Sequence, residues 1–252
     1  MKRTLKEALK HRDVTIGSWI TLAHPGIAEI MAQAGFDWLA VDMEHSVIGL
    51  REAEDLIRVI RLCGAAPLVR LSSNDPVQIK RVMDAGSHGV IVPMVNCSAD
   101  ALRAVEAVYY PPKGTRGVGL ARAQGYGFTF DAYRKWQQAN PVVVVQIEHI
   151  EAVNNLESIL ATPGVDAYMV GPYDLSASLG LPGQFNHPKV KMALQEIRRV
   201  GKQSRVVAGF HQISPDAQEA KKRIREGFRF IAYSLDILML GTMARQGVKT
   251  LK

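Results

Sequence analysis

The sequence predicts a single α/β domain spanning residues 1–252, folded as one closed (β/α)8 TIM barrel. Eight short runs rich in β-branched residues recur along the chain, separated by stretches of helical periodicity and Gly/Pro punctuation, as repeated βα units around a parallel sheet require. The chain has 252 residues, close to the roughly 250 that one such barrel usually needs. Its even alternation of strand and helix favours closure over a doubly wound sheet.

In chain order the strands are expected at Thr15–Ile20, Trp38–Glu44, Pro67–Leu71, Gly89–Val95, Val142–Glu148, Ala167–Val170, Val206–Phe210 and Phe228–Ser234. Between them, Leu50–Leu62 places Leu50, Ala53, Leu56, Ile57 and Ile60 on one helical face, and Asn74-Asp75 precedes a helix over Pro76–Ala85 as its capping residues. A further helix surrounds Ala99–Val108. The stretch from Tyr109 to Gly127 breaks the rhythm: it is rich in glycine but lacks the Gly-x-x-x-x-Gly-Lys-Ser/Thr spacing of a phosphate loop. It reads either as an excursion packed against the barrel rim or a neighbour, or as a substrate-contacting loop.

Hydrophobic residues make up 47% and charged residues 22%, enough for a buried core and too few charges for extensive disorder. The N-terminal segment is charged and no stretch approaches a membrane span, so a cytoplasmic protein with no membrane partner is expected. Cys63 and Cys97 have neither metal-site nor disulfide-scaffold spacing. The formal charge of +7 fits nucleic acid, an anionic small molecule or a basic surface; scattered lysines and arginines without interleaved aromatics argue against nucleic acid.

Barrel chemistry gathers where strands run into their βα loops. Those places carry Asp42, Glu44 and His45 after the second strand, Arg70 after the third, Gln146 and Glu148 after the fifth, and Tyr173 and Asp174 after the sixth. The two-residue period puts Asp42 with Glu44, and Gln146 with Glu148, on a common face. Buried carboxylates need a cation or a hydrogen-bond network. Glu148 and Asp174, hard oxygen donors on adjacent strands, would leave room on a six-coordinate Mg²⁺ or Mn²⁺ for water and substrate. Each also fits an ordinary role, Glu148 in a salt bridge and Asp174 as the N-cap of a helix from Leu175. His45, three residues beyond Asp42, reads as an acid/base oriented by that carboxylate or as a plain hydrogen-bonding loop residue. Arg70 reads as a forked cation beside a developing oxyanion or as an ion-pair partner.

These endings, with Gly35-Phe36-Asp37-Trp38, Val41-Asp42-Met43-Glu44-His45-Ser46, Pro67-Leu68-Val69-Arg70, Asp84-Ala85-Gly86, Val92-Pro93, Gly114-Thr115-Arg116-Gly117, Gln146-Ile147-Glu148 and Gly171-Pro172-Tyr173-Asp174-Leu175-Ser176, span nearly the whole chain. In this order they closely resemble the metal-dependent (class II) pyruvate aldolases, the family of 2,4-dihydroxyhept-2-ene-1,7-dioate aldolase and 2-dehydro-3-deoxyglucarate aldolase. The resemblance implies a barrel of the phosphoenolpyruvate/pyruvate type in which Glu148 and Asp174 ligate a divalent metal, Mg²⁺, Mn²⁺ or Co²⁺. It implies that Arg70 stabilises the pyruvate enolate and that His45, assisted by Asp42, moves protons at the aldol hydroxyl. Glu44 and Gln146 would hold water or steady the ligands, with Gln146 also near substrate. Backbone N–H groups at Tyr173 and Asp174 would receive the pyruvate carboxylate. The small-molecule partners would be a 2-oxo acid and an aldehyde, and the chain would assemble as a homo-oligomer, a hexamer by the same resemblance. His149 and the apolar Val47-Ile48-Gly49 depart from the family pattern and bear on aldehyde preference.

Three rival readings remain. A related metal-dependent lyase acting on a malyl- or citramalyl-type thioester could use the same parts. A Schiff-base aldolase needs a lysine in the barrel, and no expected strand end offers one. A non-catalytic basic binding protein would show salt-dependent binding without turnover. His24, His187 and His211 fit either the site or the scaffold.

Overall fold

The computed structural model describes residues 3–252. Eight parallel strands form the barrel: β1 (Thr15–Ile20), β2 (Trp38–Asp42), β3 (Ala66–Arg70), β4 (Gly89–Val92), β5 (Val142–Ile147), β6 (Ala167–Val170), β7 (Val207–Gln212) and β8 (Phe230–Leu235). Each pairs with its sequence neighbours, and β8 closes on β1. The helices are α1 (Leu5–Lys10), α2 (Pro25–Gln33), α3 (Leu50–Leu62), α4 (Pro76–Asp84), α5 (Ser98–Val108), α6 (Phe130–Ala139), α7 (Ile150–Asn154), α8 (Leu156–Leu160), α9 (Pro172–Ser178), α10 (Pro188–Gln203), α11 (Ala217–Arg225) and α12 (Asp236–Leu251). The expected (β/α)8 barrel is therefore present, with β2, β3, β4 and β5 ending one to three residues early, β7 running two residues further, and β8 starting two residues later and ending one later.

Both faces of a barrel strand are buried, which is why the strands read as nearly continuous apolar runs. Alternate residues separate into two shells. Trp38, Ala40, Leu68, Val144, Met169 and Phe230 fill the interior, while Val41, Val69, Val143 and Val145 pack outward against Leu56, Ile57 and Ile79 of the helices. Each fully buried Leu or Ile contributes about 1.5–3 kcal/mol. Aromatic rings fill the lower interior, where Trp38 stacks on Phe230 with centroids 4.1 Å apart. Gly17 makes this possible, since a Cβ there would lie 2.0 Å from the Trp38 ring.

The strands' N-terminal end is sealed by α1. Leu5 and Leu9 join the inner cluster, and Lys6 Nζ lies 2.6 Å from Asp166 Oδ1 while donating to the Pro141 carbonyl at 2.9 Å. The glycine-rich interval connects α5 to β5 and so belongs to this same end. Arg116, 3% exposed, donates to Tyr133 Oη at 2.9 Å, and Gln124 donates to Tyr110 Oη at 2.5 Å. It is thus a packed excursion away from the mouth of its own barrel, and it ends in α6, a helix that the sequence reading did not anticipate.

His24, His149 and His187 cap helices. Each accepts through Nδ1 the N–H two residues on, at 3.1, 3.2 and 3.3 Å, and at His24 and His187 the following proline starts the helix. His24 and His187 accordingly belong to the scaffold. Among the described residues, no helix is long and apolar enough to cross a membrane.

Candidate active site

Where the inner shell reaches the C-terminal end of the strands, it turns polar. Asp42 and Arg70 are register partners on β2 and β3, so their inward side chains meet. Arg70 Nε donates to Asp42 Oδ1 at 2.9 Å and Nη2 to Oδ2 at 2.5 Å, a fork-to-fork pair that fixes the guanidinium plane. The Arg70 guanidinium also lies 4.4 Å from the ring centroid of Trp19. Burial pushes the Asp42 carboxyl up, but the Arg70 hydrogen bonds and charge and the N–H groups of His45 and Glu44 outweigh it, holding the group below the usual carboxylate range.

Those N–H groups correct the expected Asp42–His45 contact. Asp42 Oδ1 accepts from the backbone of Glu44 at 3.0 Å and of His45 at 3.2 Å, while Ser46 Oγ donates to the Asp42 carbonyl. Asp42 therefore shapes the turn that carries His45 and does not touch the imidazole, because its carboxylate is committed to Arg70. The imidazole is largely exposed, and its nearest carboxylate is that of Glu44, with Nε2 3.9 Å from Oε2.

Three further carboxylates converge on the same mouth. Glu148, 4% exposed, accepts from the Met94 N–H at 2.6 Å and from Gln146 Nε2 at 2.8 Å, so Gln146 and Glu148 do share a face. Glu44 Oε2 lies 3.4 Å from Arg70 Nη1 without a hydrogen bond and is buried. Burial raises Glu148 to about 7, as do the nearby charges of Glu44 and Asp174. Burial likewise raises Glu44 to about 7, with Asp42 and Asp174 adding to it and Arg70 opposing. Asp174 sits in the first turn of α9, and Gly171 lies between it and Glu148. A Cβ at Gly171 would be 2.8 Å from Glu148 Oε2 and 3.7 Å from Asp174 Oδ2.

No group of three or more His, Cys, Asp or Glu side chains is arranged as a metal site among the described residues, but Glu148 and Asp174 offer a divalent cation a pair of carboxylates. Glu44, Glu148 and Asp174 crowd together while the nearest guanidinium is committed to Asp42, and Glu44 Oε2 and Gln146 Oε1 are buried acceptors without donors. The donor set is hard oxygen, suited to Mg²⁺ or Mn²⁺. Tyr173 is 57% exposed, its ring edge-on to Phe185 at 4.8 Å. A cavity of about 580 Å³ lies at the opposite end, beside Thr4, His88 and Trp136, remote from all of these groups.

The sequence reading missed two members of the site. Met94 contributes only its backbone, at φ 51°, which no side-chain pattern reveals. Trp19 had a usable signal: it lies two residues from Gly17 on the inner face of β1.

The model of the HpcH/HpaI aldolase/citrate lyase family matches residues 15–241. The chain belongs to this family. Among HpcH/HpaI relatives, a 2-dehydro-3,6-dideoxy-6-sulfogluconate aldolase from Pseudomonas putida is 39% identical over 97% of this chain and 95% of its own length. A 4-hydroxy-2-oxo-heptane-1,7-dioate aldolase from Salmonella dublin is 39% identical over 95% and 91%. A crystal structure of an HpcH/HpaI aldolase/citrate lyase family protein from Burkholderia cenocepacia J2315 superposes with a TM-score of 0.91 at 35% identity, covering 98% of both chains. The chain is accordingly an enzyme, an aldolase of the lyase class, which sets aside the non-catalytic binding protein. No lysine lies on any of the eight strands, and buried Lys6 pairs with Asp166 at the far end, which disfavours the Schiff-base route.

Proposed function

We propose that this HpcH/HpaI aldolase cleaves 4-hydroxy-2-oxo acids to pyruvate and an aldehyde, and catalyses the reverse addition, with a divalent metal held by Glu148 and Asp174. The observation that carries the proposal is one forked cation, Arg70, locked by Asp42 beside an excess of carboxylates at the barrel mouth. When bound, Mg²⁺, Mn²⁺ or Co²⁺ supplies Lewis-acid withdrawal of electron density from the ketone.

The chain's own groups do the rest. Glu148 is steadied by the Met94 N–H and by Gln146, which turns its carboxylate toward Gly171. The N–H groups of Tyr173 and Asp174, in the first turn of α9, face the pyruvate carboxylate. His45 takes the proton from the C4 hydroxyl as the C3–C4 bond breaks, releasing the aldehyde. Arg70 stabilises the negative charge that grows on the enolate oxygen, an interaction stronger in the transition state than in the ground state. Return of a proton to C3 yields pyruvate. Glu44 lies 3.9 Å from the imidazole and can steady its protonated form or hold a water for this transfer; Asp42 serves by fixing Arg70 and the His45 turn.

The oligomer, a hexamer by family resemblance, belongs to the same proposal, as does a cytoplasmic location; exposed Ile237, Leu240 and Met243 on α12 offer apolar surface for assembly. The test is pyruvate release from a panel of 4-hydroxy-2-oxo acids. Chelator abolishes turnover and Mn²⁺ restores it; full turnover by the metal-free protein overturns the proposal. Release of an acyl thioester from a malyl- or citramalyl-type substrate, with no pyruvate from the 4-hydroxy-2-oxo acids, would favour the thioester lyase.

A further inference from the structure

One corner of the mouth, where β7 and β8 meet β1, has a polar character that the proposed reaction leaves unused. Trp19 Nε1, His211 Nε2 and Ser234 Oγ are all buried there without a hydrogen-bond partner. The Trp19 and His211 rings meet edge-on with centroids 5.5 Å apart, and Trp19 also carries the Arg70 guanidinium. His211 is the register partner of inner-shell Ala232 and lies an even number of residues from inner-shell Val207, so it faces the barrel interior.

The chemistry of the corner is definite. Burial, followed by the Arg70 charge, lowers the His211 imidazole to about 4, so it is neutral, with a proton held toward the Ser234 carbonyl. That leaves Nε2 as an acceptor only. Trp19 Nε1 is a donor only. Arg70 directs its guanidinium at carboxylates, Nε and Nη2 to Asp42 and Nη1 toward Glu44, and leaves His211 Nε2 without a partner. A single hydroxyl, which donates once and accepts twice, matches an adjoining bare acceptor and bare donor; an alkyl group would leave both unpaired at a cost.

We propose that this corner binds a hydroxyl of the aldehyde, so that the enzyme selects aldehydes carrying a hydroxyl beside the carbonyl, with His211 and Trp19 as the specificity residues. The proposal rests on the aldolase reading, since Arg70, on the same indole, marks where the pyruvate enolate forms. The test measures kcat/KM for addition of pyruvate, with Mn²⁺, to glycolaldehyde and to propionaldehyde, which differ by a hydroxyl in place of a methyl.

Taking the ratio of the two within each preparation cancels any loss of folded protein and any difference in metal loading. His211→Leu lowers the glycolaldehyde-to-propionaldehyde ratio by about tenfold or more. His211→Gln, which keeps an acceptor, retains the larger part of it. A His211→Leu ratio within about twofold of wild type, with turnover intact, overturns the proposal alone. Wild-type turnover of neither aldehyde overturns the aldolase reading and this inference together.

Discussion

A single methyl group added at Gly171 should weaken metal binding while leaving the barrel intact. The backbone there, at φ −97° and ψ 87°, is open to any L residue, so the effect of Gly171→Ala is steric. Its Cβ would sit 2.8 Å from Glu148 Oε2 and 2.9 Å from Glu148 Cβ, too close to be absorbed by a terminal rotation alone. Either the α9 entry shifts, an overpacking cost of about 1–3 kcal/mol, or Glu148 swings away from the Met94 N–H or from Gln146. A hydrogen bond to a charged group is worth about 1.5–3 kcal/mol. Since about 1.4 kcal/mol is a factor of ten, Mn²⁺ affinity should fall about 10- to 100-fold, the range seen when groups supporting a metal ligand are disturbed. The melting temperature should fall by only about 2–10 °C. Titration with Mn²⁺ followed by electron paramagnetic resonance reads the first quantity and a thermal melt the second. Wild-type Mn²⁺ affinity in the variant would refute the proposal that Glu148 and Asp174 hold the metal.

Other perturbations separate the scaffold from the chemistry. Arg70→Ala should lower kcat by about 10²–10³ if it stabilises a developing oxyanion, read by pyruvate release at saturating substrate; a change confined to KM would contradict that role. Lys6→Met should cost about 3–5 kcal/mol in chemical denaturation, because Asp166 would be left buried without its partner, while kcat of the folded protein stays unchanged. Burial and the charges of Arg61 and Arg122 lower His88 to about 4 from an ordinary 6.5. The unfolded chain binds this proton first, so stability is full above about pH 6.5 and declines as pH falls through 4, by up to about 3 kcal/mol. His88→Gln should flatten that part of the pH–stability curve; an unchanged slope assigns it elsewhere.

The strands were legible because each is buried on both faces, leaving uninterrupted β-branched runs such as Val142–Val145. Helix α3 was equally plain, its apolar residues falling on one face. Helix α6 escaped because its buried residues are Tyr133 and Gln137, a face without an aliphatic stripe. The mouth residues were found by the rule that barrel strands end in chemistry, and the register of β2 with β3 explains what that rule could not give. Proximity in sequence suggested that Asp42 serves His45, whereas Arg70, 28 residues away, is its neighbour across the sheet. His211 was ambiguous for a related reason: only the two extra residues of β7 carry the strand past it and fix which way it faces.

The central claim is that Glu148 and Asp174 grip a divalent cation within reach of Arg70. Anomalous diffraction from a crystal soaked in Mn²⁺ and oxalate tests it most directly. A manganese peak within coordination distance of one oxygen from each of those two carboxylates, with oxalate between the metal and the Arg70 guanidinium, is the expected result. A manganese peak elsewhere, or none while oxalate binds, would contradict it.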